Sequence, residues 1–150
     1  MTLSAFVAFL HHVAAFTLVA ALVVEFILIR DELTLKTARR LQLADLVFGA
    51  SAGAILVVGL LRVFFFEKGA AYYFSNSAFV AKIVIFAVIA LLSIYPTLVF
   101  LSWRPSVKQD QTPLADARQI RRIRSLIHWE LAGIVFLLLC AALMAKGIGL

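Results

Sequence analysis

Charge is scarce in this chain. Only 15% of its 150 residues are Asp, Glu, Lys or Arg, against about a quarter in an ordinary soluble domain, and 64% are hydrophobic. That balance excludes a soluble globular class and marks an integral membrane protein. Cysteine is nearly absent: Cys140 stands alone in an apolar run, so no intrachain disulfide forms and the redox compartment stays open. Two methionines are too few for a thioether metal relay. No Gly-rich phosphate loop, HExxH, CxxC or serine elbow occurs, which removes the common soluble-enzyme chemistries. The net charge of +6 would suggest nucleic acid in a soluble protein, but here the cations gather between apolar runs. That distribution is a topology signal, and nucleic-acid binding is discarded.

What the chain has is four long apolar runs, at about 3–29, 43–66, 77–103 and 127–148. Each exceeds the ~20 residues needed to cross ~30 Å of hydrocarbon at about 1.5 Å per residue. The expected fold is all-α, an integral membrane four-helix bundle forming a single domain over 1–150. The first run lacks a preceding basic residue, is too long for a signal-peptide core, and carries His11, His12 and Glu25, so it is expected to remain as a span.

Arg30, Lys36, Arg39 and Arg40 separate the first two runs; Arg104, Lys108, Arg118, Arg121, Arg122 and Arg124 separate the last two. The connection 67–76 holds only Lys68. By the positive-inside rule both basic loops are cytoplasmic and both termini lie outside, in a bacterial inner membrane crossed several times. The third loop, 104–126, contains Pro105, Pro113 and a polar stretch 108–112, then a basic amphipathic extension of the fourth helix over 115–125 that suits anionic headgroups. Trp103 and Trp129 at one boundary and Tyr72 and Tyr73 at the other read as interfacial aromatics. Gly49 and Gly53, four apart amid alanine and serine, predict a face that packs on another helix, within the bundle or across a dimer, or that admits a flat cofactor.

Alternating topology sorts the polar residues into two layers. The outer layer holds His11, His12, Arg62 and Lys82; the inner layer holds Glu25, Asp45, His128 and Glu130. A charge at membrane depth costs about 2.5–3.5 kcal/mol even on lenient insertion scales, so these side chains are expected to face protein, cofactor or a water cavity. The outer layer has imidazole and cations but no carboxylate within the spans. Haem b answers both needs, because its iron takes an imidazole nitrogen and its propionates take Arg62 and Lys82. His11 is the expected iron ligand: it returns to the helix face of Glu25, fourteen positions on, whereas His12 is turned by about 100° and is left as an assisting donor or a group facing a partner subunit. In the inner layer, ion pairs with the loop arginines are the simplest expectation, and a proton path or a carboxylate–histidine metal site is the sharper alternative.

The segments 9–12 (FLHH), 38–41 (ARRL), 59–63 (GLLRV), 68–73 (KGAAYY) and 141–148 (AALMAKGI) resemble an uncharacterised family of bacterial four-span predicted membrane proteins of unknown function, over essentially the whole chain. More remotely, the plan is similar to HemJ, the haem-containing protoporphyrinogen IX oxidase, and to CopD-like copper-resistance membrane domains. The HemJ resemblance implies a haem-binding histidine at His11 or His12, the lysine of its third span at Lys82, the glutamate of its fourth at Glu130, and oligomeric association. The segment 77–82 (SAFVAK) lacks HemJ's Trp and His ahead of the lysine, and His128-Trp129-Glu130 stands where it has Asn-Glu. The expected function is a haem b membrane protein with a redox role. The alternatives are a HemJ-like oxidase passing electrons from a porphyrin or similar reductant to quinone, a copper handler using His11 and His12, and an accessory subunit of a membrane complex.

Overall fold

The computed structural model describes residues 2–66 and 70–146, and every element among them is helical. Helix α1 spans Leu3–Leu28, α2 Leu35–Leu61, α3 Ala70–Ser75, α4 Ser77–Ser102, α5 Arg104–Lys108 and α6 Ala117–Ala145. A π-helical turn, Arg62–Phe66, continues α2. Four of these helices are long and apolar enough to cross a membrane, which bears out the all-α membrane bundle. Glu67, Lys68 and Gly69, the Tyr72 side chain and residues 147–150 lie outside the described residues, and with them the weakly charged connection, part of one aromatic pair and the last segment of the family resemblance.

Local chemistry fixes where the long helices start. Thr2, Thr34, Asn76 and Asp116 each precede a helix in extended conformation, and their side-chain oxygens accept from the amides of Ala5, Thr37, Phe79 and Arg118. Caps of these residue types satisfy amides that have no partner within the helix and contribute ~1 kcal/mol each. They also explain why α2 and α6 begin well before their apolar runs: a cap and a few charged turns extend each helix out of the hydrocarbon.

The helices assemble as two close pairs, α1 with α2 and α4 with α6, joined by α1–α6 and α2–α4 contacts. A contiguous core of Leu18, Leu22, Leu41, Phe48, Phe100, Ile123 and Ile127 joins the pairs in the half nearest the basic loops, called here the basic end. Trp103 belongs to this core. It is 3% exposed and its ring lies 5.3 Å from that of Phe100, so of the two tryptophans assigned to the interface only Trp129 is exposed. Close approach of α4 and α6 depends on Gly133, whose absent Cβ would come within 2.9 Å of Ile89.

Loop contacts hold the basic end together. Arg39 of α2 forms an ion pair with Asp110 beyond α5, and Asp110 adopts φ 56°, a left-handed conformation that aspartate tolerates better than most residues. Gln42 Nε2 donates to the Phe100 carbonyl at 2.8 Å, linking α2 to the last turns of α4. Arg30 lies 4.0 Å over the Phe26 ring and Arg122 lies 4.4 Å over that of Tyr95. These guanidinium groups are held by aromatic faces.

Candidate functional site

His11 sits eight residues into α1, about 12 Å along its axis from Leu3. Its half-buried ring packs against Gly59 of α2, where an added Cβ would lie 3.3 Å from Cε1 and 3.7 Å from Nδ1. Glycine there makes room for the imidazole. The Nδ1 atom is buried and has no hydrogen-bond partner, an arrangement that costs ~1–3 kcal/mol unless something else supplies one.

Three helices bring the expected outer-layer residues together. The charged groups within electrostatic reach of His11 are Lys82, Arg62 and His12. Lys82 in turn feels Arg62 and the thiol of Cys140 from α6. Arg62 opens the π-helical turn, where the helix widens by one residue per hydrogen-bonded turn and re-aims the side chains that follow. Such turns recur at functional sites. No carboxylate of the described residues is among the charges acting on His11 or Lys82. Cys140 was not grouped with these residues in the sequence; its depth along the fourth span was the signal available.

His12 departs from the group. It is exposed on the outside of α1, and its Nδ1 is 2.6 Å from the Ala8 carbonyl one turn back. The two imidazoles meet edge to face with centroids 6.2 Å apart. A shared site using both rings therefore finds only His11 in the interior.

At the basic end the inner layer resolves differently from the ion-paired scheme. Glu25, Asp45 and Glu130 are 2%, 8% and 1% exposed. Among the described residues none of them forms an ion pair; Arg39 pairs with Asp110 instead, and the cation within electrostatic reach of Asp45 is Arg104. The loop arginines sit beyond the ends of the spans, so their heads stay with solvent and headgroups rather than entering the core. Thr97 Oγ1 donates to Asp45 Oδ1 at 2.6 Å. His128 leaves the layer: it is exposed, with its ring 6.4 Å from that of Phe26 and 6.3 Å from that of Trp129. Glu130, two residues on, faces the opposite side of α6, as a step of about 200° requires. Among the described residues no group of three His, Cys, Asp or Glu is arranged to hold a metal ion, so the carboxylate–histidine metal site is not formed.

The small-residue face of α2 also points away from the bundle. An added Cβ at Gly49 or Gly53 meets nothing within 4 Å, so packing within the bundle is not its role. Open grooves flank the α1–α2 seam; the larger, of about 450 Å³, is lined by Thr17, Ala20, Ala21, Ala44 and Val47 among others.

Compared with known proteins, residues 3–149 match the model of a family described as "Predicted membrane protein (DUF2214)". No curated protein matches the chain, and no solved structure does.

Proposed function

Since the chain belongs to the DUF2214 family of predicted membrane proteins, whose description names no reaction, we propose from the site itself that it is a haem b-binding membrane protein with a redox role. One observation carries this reading: a half-buried imidazole with an orphaned Nδ1 lies within electrostatic reach of the Lys82 ammonium, and among the described residues no carboxylate acts on either group. The donor set fits an anionic, imidazole-ligating group. The half-buried Lys82 ammonium favours an anion beside it, since a charge in low dielectric loses several kcal/mol of solvation, and haem carries two carboxylates.

In this reading His11 would ligate the iron, with Gly59 leaving room for its ring. Arg62 and Lys82 would hold the propionates. Bound haem supplies one-electron exchange at its iron, and the apolar helices exclude water from it. A lipophilic electron partner such as a quinone or a porphyrin would approach through the bilayer of a bacterial inner membrane. The copper reading is less well supported, because it needs both imidazoles on the same side of α1 and His12 is turned outward with its Nδ1 engaged.

The test is spectroscopic. Protein produced with ample haem precursor should show a Soret band and a pyridine haemochrome, retained in His12→Ala and lost in His11→Ala. A wild-type protein without a Soret band under those conditions would reject the proposal.

A further inference from the structure

Two oxygen atoms in the core of the basic end have nothing to bond to. The Oε1 atoms of Glu25 and Glu130 are closed off from solvent without a hydrogen-bond partner, on side chains that are almost wholly buried. They come from different helices, α1 and α6. Glu25 is within electrostatic reach of both Asp45 and Glu130, and Glu130 of Asp45, so the three carboxyls share one region of the interior. Asp45 comes from α2, and its bond from Thr97 brings in α4. Every membrane-crossing helix thus delivers a polar side chain to this region. A scatter of structural carboxylates would instead be expected to draw in the nearby arginines. The charged and titratable groups acting on the trio are its own members and Arg104, which reaches Asp45; His128 faces away.

We propose that Glu25, Asp45 and Glu130 form a proton-binding site that exchanges protons with the basic end of the protein. The ligand follows from the donor set. The carboxyls are not arranged to coordinate a metal ion, yet two of their oxygens lack a hydrogen, which is what a proton brings. In the binding step a hydronium ion gives its proton to a carboxylate oxygen, an O–H bond forms and water is released. The new O–H turns an oxygen without a partner into a donor, and because the three carboxyls act on one another the proton belongs to the group as a whole, as in coupled titrations. The path is short: Glu25 lies three residues before the last residue of α1, about 5 Å along the axis. The site is at the other end of the bundle from His11 and stands whether or not haem binds there.

Full-length wild-type protein in phosphatidylcholine vesicles, treated with dicyclohexylcarbodiimide and mapped by mass spectrometry, tests this without a variant. The reagent attacks protonated carboxyls in apolar surroundings. Adducts are expected on Glu25 or Glu130, absent from the exposed loop residues Asp31 and Glu32, decreasing as pH rises and unchanged by added sodium at fixed pH. The infrared carbonyl band of protonated carboxyls should fall over the same pH range and lose intensity in Glu25→Gln and in Glu130→Gln. Absence of adducts at every pH, labelling independent of pH, or suppression by sodium would each overturn the proposal; the last would put a metal cation in the proton's place.

Discussion

Placing an alanine at Gly133 asks how tightly α4 and α6 are fitted. The new methyl group would stand 2.9 Å from Ile89 Cγ1 and 3.1 Å from its Cδ1, inside normal carbon contact, and Ile89 is buried with little room to turn. Overpacking of this kind costs ~1–3 kcal/mol. Helix propensity works in the other direction, since Ala is better than Gly by about 1 kcal/mol in a helix interior. Gly53 provides an internal control because it is also mid-helix but has nothing within 4 Å of an added Cβ. Both substitutions gain the propensity term, so their difference isolates the clash. Gly133→Ala should therefore be less stable than Gly53→Ala by ~1–3 kcal/mol, measured by reversible denaturation in bicelles. Ile89→Ala removes both clashing carbons. Alone it should cost ~2–5 kcal/mol, but combined with Gly133→Ala the two effects should fall short of additivity by about the clash energy. Equal stability of the two alanine variants, or strict additivity in the cycle, would refute the packing argument.

Thr97→Val keeps the side-chain shape but removes the donor to Asp45, and should destabilise by ~1–3 kcal/mol in the same denaturation assay; Thr97→Ser should recover most of it. Arg39→Ala breaks an exposed ion pair and should change stability by no more than ~1 kcal/mol, with an effect that shrinks in high salt. Gly59→Val drives branched carbon into the His11 ring and should raise the reactivity of His11, but not His12, toward diethylpyrocarbonate, read by peptide mass mapping.

The four-helix plan was legible because hydrocarbon thickness imposes a run length that few other constraints reproduce. The outer cluster was legible for a related reason: depth follows from residue count along a straight helix, and depth placed His11, Arg62 and Lys82 together. Azimuth was harder. The fourteen-residue spacing from His11 to Glu25 separates His11 from His12 on the helix, whereas a shared depth hides that two residues of helix place His128 and Glu130 on opposite sides. The fate of the inner carboxylates depended on how far arginine side chains reach from the loops, a tertiary question on which the sequence is silent. The π-helical turn at Arg62, which touches α1 and α3, has no sequence mark. The caps Thr34 and Asp116 were readable in principle and would have set the starts of α2 and α6 ahead of their apolar runs.

The core that joins the two helix pairs runs from the basic end to mid-span, where Ile89 and Ile134 belong to it. At the opposite end Val63, Ala78 and Phe79 are buried, and the π-helical turn touches both α1 and α3. His11 and Arg62 belong to one helix pair and Lys82 to the other. Bilayer thickness, which exerts a cost of fractions of a kcal/mol per Å on mismatched helices, therefore meets a bundle fastened at both ends. A thinner or thicker membrane tilts the pairs together, and the spacing of His11 and Lys82 is kept.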